Sequence, residues 1–276
     1  MPTRIRAARR IFDLSLGQML WSRRSVFLGI VTGGPVLLAF MIRAIVMWTP
    51  AGVLQVNGAR MSGAALFGMM IWLRYIRFIV PVLGVFYGTA LIADEIEDKT
   101  ITYLFTRPIP RSAVLFGKYL AYLVCTVLLV LPSVVLVYFI VVSLGGEGGG
   151  TVGSEFPSLV KDLGMLAVGL AAYGAVFAMV GTRLKRPLVI GLVFAFGWEP
   201  GVLLFPGYVK RLTVAYYLQA LVPHAMPNES AVSALLQFFT DTPSIALSLA
   251  CLVAITLGML WLAGRTVENR EYVLEQ

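Results

Sequence analysis

Charged side chains are concentrated in one short part of an otherwise apolar chain. The stretch DEIEDKTITYLFTRPIPRSAVLFGK, from Asp94 to Lys118, holds eight charged residues in 25 positions and lies between two long apolar runs. Four acids come first and four basic residues follow. Mixed charges of this kind bind a complementary protein surface, whereas loops that bind anionic lipid are polybasic. The pattern favours a protein partner; the alternative is a solvated loop whose basic residues only set membrane topology.

A second group of charged residues lies inside apolar runs. Glu199 follows Leu188 by eleven residues, roughly 17 Å along a helix and therefore near the middle of a bilayer. An acid at that depth costs roughly 2.5 to 3.5 kcal/mol. Pro200 comes next, so the sequence predicts a helix break beside Glu199 and a polar environment around it.

Arg43 and Arg77 are the candidate partners of Glu199. Either arginine could form a structural ion pair with this acid, and the three residues could instead line a substrate path. The alternative is that both arginines extend to the outer membrane surface, because each is predicted to lie toward the outer end of its helix. We retain the three as candidate site residues.

Catalytic motifs are not apparent in the chain. The sequence has no HExxH or GxSxG motif, and FGKY, at Phe116–Tyr119, lacks both the upstream glycine and the Ser or Thr of a nucleotide-binding loop. His224, the only histidine, has no neighbouring ligand pattern. We therefore predict no catalytic residue, no metal site and no cofactor bound by this chain; an intramembrane enzyme is the least favoured alternative.

The composition is that of an integral membrane protein. Of 276 residues, 59% are hydrophobic and 13% charged, and the mean hydropathy is +0.86. Runs of about 20 apolar residues predict an all-α polytopic protein with six transmembrane helices in one domain, residues 1–276. The predicted spans are Ser25–Trp48, Arg74–Ala93, Ser112–Val142, Leu159–Thr182, Leu188–Phe205 and Ser244–Gly264.

The basic residues predict the orientation of these helices. Fifteen of the 22 Lys and Arg residues fall in segments that are cytosolic if the N-terminus is inside. We therefore predict cytosolic N and C termini and contact with the lipid bilayer. The net charge of +8 lies at span ends rather than on a soluble face, which excludes a nucleic-acid partner.

Two further segments are predicted to lie along or dip into the membrane. In residues 1–24, apolar residues such as Ile5, Phe12 and Leu16 recur at helical spacing, which indicates an amphipathic interfacial helix. A plain positively charged anchor end is the alternative. Residues 207–243, between the fifth and sixth spans, are moderately apolar and interrupted by prolines, and predict an outer re-entrant or amphipathic segment.

Glycine spacings in the first two spans indicate where helices could approach closely. Gly29 and Gly33 form one GxxxG motif, and Gly84 and Gly88 form another. Such spacing permits close contact but is a weak signal in glycine-rich helices.

The charged stretch itself has the pattern of a helix followed by a rigid corner. Asp94 and Glu97 resemble a capping box, which predicts a short cytosolic helix that begins there. Pro108 ends it, because the residue before a proline disfavours helical geometry. A second helix begins at Pro110 or Ser112. A force on the first helix would reach the third span.

This region resembles a known family. GTALIADEIEDKTITYLFTRPIPRSAVLFGKYLAYLV, residues 88–124, is similar to the signature of permease subunits of type-2 ABC transporters, in particular the branch that assists copper-site maturation of nitrous oxide reductase. The matching positions are Glu95 or Glu97, Thr100, Pro108, Arg111, Ser112, Gly117 and Lys118. TITYLFT departs from the family, which commonly has a small-apolar and leucine pair after the threonine.

The resemblance implies that residues 94–111 are a cytosolic coupling loop pushed by a separate ATPase. The residues assigned to ATPase coupling are Asp94, Glu95, Glu97, Asp98, Thr100, Tyr103, Arg107, Pro108 and Arg111. It implies a homodimeric exporter in the bacterial cytoplasmic membrane, ATP and magnesium on the partner ATPase subunit, and an extracytoplasmic protein as a further candidate partner. An ATP-independent channel or secondary carrier is the alternative.

Overall fold

Apolar helices make up most of the described chain. The computed structural model describes residues 12–17, 19, 23–48, 55–56, 59–60, 62–97, 111–145, 151–203, 208–222 and 243–269. Its helices are α1 (Arg23–Trp48), α2 (residues 63–97), α3 (Arg111–Val142), α4 (Phe156–Arg183), α5 (residues 187–203), α6 (Val214–Gln219) and α7 (Ile245–Asn269). Residues 12–17 are also helical, within the predicted interfacial helix.

Short elements complete the description. Strands β1 (Gln55–Val56) and β2 (Ala59–Arg60) pair antiparallel between α1 and α2, with Gln55 opposite Arg60. A 3-10 turn over Tyr208–Leu212 precedes α6.

The all-α polytopic class predicted from composition is confirmed. Five helices within the described residues are long and apolar enough to cross a membrane: Val26–Trp48, Gly63–Ala93, Arg111–Val142, Phe156–Arg183 and Ile245–Asn269. The predicted fifth span corresponds to a shorter apolar helix, Pro187–Val202.

The predicted start of the second span is wrong. Helix α2 begins at Gly63, eleven residues before Arg74, because the Ser62 side chain accepts a hydrogen bond from the Ala65 N–H and caps the helix. The charges of Arg74 and Arg77 suggested a helix end. Both residues instead lie in the interior of a long helix.

Helix α2 is wound unevenly. Three parts of it are α-helical: Gly63–Met70, Val80–Leu83 and Ala90–Glu97. The stretches between them, Ile71–Ile79 and Gly84–Gly88, are π-helical, with i→i+5 hydrogen bonds, and we call them wide turns. Wide turns of this kind are rare and often occur at functional sites. Residues five apart therefore lie closer to one face in these two stretches than they would in a regular α-helix.

Helix α5 also contains a wide turn, and the helix break predicted beside Glu199 is wrong. Pro187–Val193 leads into a wide turn over Phe194–Trp198, and Glu199–Leu203 continues the helix. Pro200 lacks an N–H, so regular α-helical bonding is lost at this point in any case. The wider hydrogen-bond spacing absorbs that loss without ending the helix.

The GxxxG motif of α2 mediates a close helix contact. A Cβ atom on Gly84 would lie 2.8 Å from the Tyr173 Cβ, and one on Gly88 would lie 3.0 Å from the Phe177 Cβ, both on α4. A Cβ on Gly29 or Gly33 of α1 would have no atom of the described residues within 4 Å, apart from the adjacent backbone of its own helix. Glycine thus allows α2 and α4 to pack almost backbone to backbone, which is how helices associate where lipid removes the hydrophobic driving force.

A chain of hydroxyl groups ties α1, α2 and α3 together. The Tyr75 and Ser133 hydroxyls are 2.7 Å apart, and Ser133 donates to the Thr32 carbonyl at 2.7 Å. All three residues are buried. Interhelical hydrogen bonds between such groups stabilise membrane helix bundles modestly, by roughly 0.6 kcal/mol on average and 1.7 at most.

Ser133→Ala should lower the free energy of unfolding by about 1 kcal/mol, because it leaves the buried Tyr75 hydroxyl and Thr32 carbonyl without this partner. Thr126→Val is the matched control: Thr126 is buried on the same helix, and its hydroxyl donates to the Tyr122 and Leu123 carbonyls of α3 itself. Denaturant unfolding in one detergent measures both variants. Equal losses of stability would contradict a role of the interhelical chain.

Candidate functional site

The predicted coupling loop is described at its two ends. Residues 98–110, and with them Asp98, Thr100, Tyr103, Arg107 and Pro108, lie outside the described residues. The first three acids of the stretch fall in the final α-helical part of α2, Ala90–Glu97, and Arg111 begins α3.

The prediction that a new helix begins at Asp94 is therefore wrong. The apolar helical pattern of α2 simply continues through the acids, so Asp94 and Glu97 lie at a helix C-terminus. The helix dipole is negative at that end, and acids there add to the negative potential instead of offsetting it. A cationic group of a partner protein is the chemistry that such an end attracts.

The two helices that flank the loop are joined by a small apolar cluster. This loop-anchor cluster consists of Ile92 of α2, Leu115 of α3, and Ala263 and Val267 of α7, and Met179 of α4 packs against it. The four residues are at most 1% exposed. A displacement of the loop would therefore reach α4 and α7 as well as the helices to which it is covalently joined.

A hydrogen bond supports the same end of the bundle. Ser112, in the first turn of α3, donates to the Glu268 carboxylate in the last turns of α7 at 2.6 Å. Next to it, a Cβ on Gly264 would lie 3.7 Å from the Ser112 Cβ, an ordinary van der Waals contact. Of the other family positions, Gly117 and Lys118 are buried on α3.

Glu199 lies in a buried polar group near the middle of the bundle. The residue is 3% exposed. The Tyr173 hydroxyl of α4 donates to one carboxylate oxygen, and the Val214 N–H donates to the other at 3.3 Å. The Ala215 N–H also interacts with this carboxylate. We call Glu199, Tyr173 and the first turn of α6 the carboxylate clasp.

Glu199 supplies the cap that α6 otherwise lacks. The N-cap residue, Thr213, makes no side-chain capping bond, and its hydroxyl donates to the Lys210 carbonyl at 2.8 Å. The first N–H groups of a helix need acceptors, and a carboxylate is favoured there by charge as well as by hydrogen bonding. The acid on α5 therefore holds the start of α6 in place.

Arg77, on α2, interacts electrostatically with the clasp. Electrostatic attraction links its guanidinium group to Glu199, and the group lies 4.7 Å from the centre of the Trp72 ring. Because Trp72 and Arg77 are five residues apart in a wide turn, they lie on one face of the helix. In a regular α-helix they would diverge by roughly 140°.

Arg43 lies elsewhere. Its guanidinium donates to the Ile140 carbonyl at 3.2 Å and to the Ser143 hydroxyl at 2.6 Å, at the C-terminal end of α3. Cations are favoured at that end of a helix. Of the two arginines predicted as partners of Glu199, Arg77 is electrostatically attracted to the acid, whereas Arg43 binds the end of α3.

The segment that carries α6 reaches deep into the bundle. Leu218 lies 3.1 Å from the position of a Cβ on Gly169 of α4, and Val80 of α2 lies 3.4 Å from the same point. Gly169 is at the midpoint of α4, so residues 214–219 fold back between the helices instead of covering their ends.

Sequence reasoning missed two buried polar residues on α4. Tyr173 was not singled out, although a tyrosine between small residues, in AAYGA, is a signal for a ring packed tightly against another helix. Asp162 is also fully buried, in the second turn of α4.

The polar groups of the described helices position neighbouring helices. Within the described ranges, no group of three or more His, Cys, Asp or Glu side chains could hold a metal ion. The polar groups described above hold helices to one another.

Comparisons with known proteins give the family. The family model described as ABC-2 family transporter protein matches residues 53–263, which include α2 to α5, residues 94–111 and most of α7. No curated protein matches the chain.

Proposed function

Because this chain belongs to the ABC-2 transporter family, and is thus a multi-pass permease of an ABC transporter, we propose that it works as an exporter driven by a separate ATPase bound at residues 94–111. The family implies an ABC ATPase partner, and a permease of this family is not itself an ATPase. Export, the docking position and the remaining assignments below are parts of the proposal.

The loop-anchor cluster is the observation that carries the docking position. Residues 98–110 connect two helices whose ends share one buried cluster with α4 and α7. A partner that pushes this loop would move four helices together, and densely packed interiors transmit such displacements. A solvated loop that only set topology would not need this mechanical support.

The charge at the end of α2 supports the same site. The acids from Asp94 to Glu97 add to the negative end of a helix that spans the whole bundle. We propose that this end binds basic residues of the ATPase, with Arg107 and Arg111 as the oppositely charged part of the surface. ATP and magnesium would be bound by the partner.

The membrane topology and the assembly complete the proposed function. We propose a bacterial cytoplasmic membrane location with cytosolic termini, on the distribution of basic residues. We propose that two copies form the transporter, with a second chain against part of the exposed apolar surface of the bundle. Branch placement with permeases of nitrous oxide reductase maturation, and an extracytoplasmic partner, rest on residues 88–124 alone.

Co-purification tests the proposal. Tagged full-length chain, extracted from its native membrane in a mild detergent, should retain a protein with nucleotide-binding-loop and magnesium-binding motifs, in a ratio near one to one. Mass spectrometry identifies the retained protein, and ATP hydrolysis by the complex measures its activity. If the chain is isolated without any ATPase and gives ATP-independent flux in pure liposomes, it is a channel or secondary carrier and the proposal is wrong.

A further inference from the structure

The carboxylate clasp is connected to the loop-anchor cluster through one helix. Arg77 and the last residue of α2, Glu97, are 20 residues apart, roughly 30 Å along the helix. Between them, α2 packs against the clasp, because a Cβ on Gly84 would lie 2.8 Å from the Tyr173 Cβ. Helix α2 therefore carries Arg77, which attracts Glu199, and packs against Tyr173, which donates a hydrogen bond to Glu199.

A buried carboxylate is sensitive to the positions of these neighbours. Removing a charged or hydrogen-bonding partner from a buried acid leaves an uncompensated charge, which is costly and weakens the remaining arrangement. If α2 moves, Arg77 moves with respect to Glu199, and the packing of Gly84 against Tyr173 changes. The acceptor that caps α6 would then be displaced or neutralised, and the first turn of α6 would lose its support.

We propose that the carboxylate clasp is a transmission element: Glu199 keeps the 208–222 segment docked between the helices, and a displacement of α2 releases it. Glu199, Tyr173 and Arg77 are positioning residues in this account. The wide turns of α2 are the places where its two halves can change their relative rotation. A role of this release in transport rests on the proposed function. The existence of the clasp does not depend on the proposed function.

Thiol accessibility tests the clasp in the permease alone. The reporter is Ala215→Cys, at a position that is 4% exposed in α6, in a background with Cys125→Ala and Cys251→Ala. The full chain is reconstituted in lipid nanodiscs, and a water-soluble maleimide labels it. Glu199→Gln and Arg77→Gln should each raise the labelling rate about tenfold, the usual scale of coupling between sites.

The variants have matched controls. Arg74→Gln removes an exposed arginine from the same wide turn and should leave the rate unchanged. The double variant Arg77→Gln/Glu199→Gln should label no faster than the faster single variant, because both changes break one interaction. Leu212→Cys, at a position 72% exposed, should be labelled at the same rate in every variant and thereby controls for reagent access and thiol reactivity.

A separate variant tests whether a displacement of α2 reaches the clasp. Gly84→Ala forces α2 away from Tyr173 without changing any charge, and it should also raise Ala215→Cys labelling about tenfold. Gly33→Ala, where no atom lies within 4 Å, is its control.

The outcomes separate the two proposals. Unchanged labelling in Glu199→Gln and Arg77→Gln, or equal increases in Arg74→Gln and Arg77→Gln, would overturn the clasp. If labelling is faster in Glu199→Gln and Arg77→Gln but unchanged in Gly84→Ala, the proposed transmission from α2 is wrong. None of these results depends on an ATPase. Failure to recover an ATPase by co-purification would overturn the proposed function and leave this test unaffected.

Discussion

Gly181→Ala is expected to lower the free energy of unfolding by about 3 kcal/mol, the upper part of the range for over-packed interiors. The added Cβ would lie 2.4 Å from the Thr89 carbonyl oxygen and 3.0 Å from the Thr89 Cα. These are backbone atoms of α2, so no side chain can turn away to make room. The two central helices would have to separate near the loop-anchor cluster.

The control for this variant is Gly29→Ala, in the GxxxG motif of α1. No atom lies within 4 Å of its Cβ position, and alanine favours helix more than glycine does. This variant should be as stable as the native chain or slightly more stable. Denaturant unfolding of the three proteins in the same detergent measures the difference. Similar unfolding midpoints for Gly181→Ala and Gly29→Ala would contradict the close packing of α2 on α4.

Charge reversal in the coupling loop should have the largest effect on assembly. Glu97→Lys and Arg107→Glu are each expected to weaken ATPase binding by about 2 kcal/mol or more, roughly 30-fold, because a reversed charge repels the partner group that it formerly attracted. Binding of purified ATPase to nanodisc-embedded permease measures this change. Transport should fall in parallel, since an unbound ATPase cannot push the loop.

Lys161→Glu is the matched control for charge reversal. Lys161 is exposed near the start of α4, far from the loop-anchor cluster. This change should leave ATPase affinity within about twofold of the native value, because exposed charges separated by more than about 10 Å are largely screened by salt. If all three reversals weaken binding equally, net charge rather than the loop determines association, and the docking position is wrong.

Helices with uninterrupted apolar runs were predictable from the sequence. The predicted span Ser112–Val142 is α3 (Arg111–Val142) within one residue, and Ser25–Trp48 is similarly close to α1. A run of apolar residues of the right length has no alternative partner to the bilayer. The start of α2 was mispredicted because Arg74 and Arg77 were interpreted as marking a helix end. Charged residues inside a bundle depend on tertiary partners, which the spacing of residues does not reveal.

The candidate site was predictable only in part for the same reason. The depth of Glu199 could be calculated from helical rise, and its calculated position drew attention to Arg77. The clasp, however, joins Glu199 to Tyr173 and Val214, which lie 26 and 15 residues away on other helices. Nothing in one sequence specifies which hydroxyl or N–H a buried acid will meet. The wide turn that places Trp72 under Arg77 is likewise a result of packing.

The charges within α2 and α5 also bear on biogenesis. A helix with two arginines, and a short one with an acid, are both poor substrates for one-by-one insertion by the translocon, since each charge costs roughly 2.5 to 3.5 kcal/mol at the bilayer centre. Helix α2 is synthesised first, so α5 emerges from the ribosome when Arg77 and Tyr173 are already available to receive Glu199. We expect α5 to insert into the membrane with the help of the helices synthesised before it. A nascent chain truncated before α4 should insert α2 poorly.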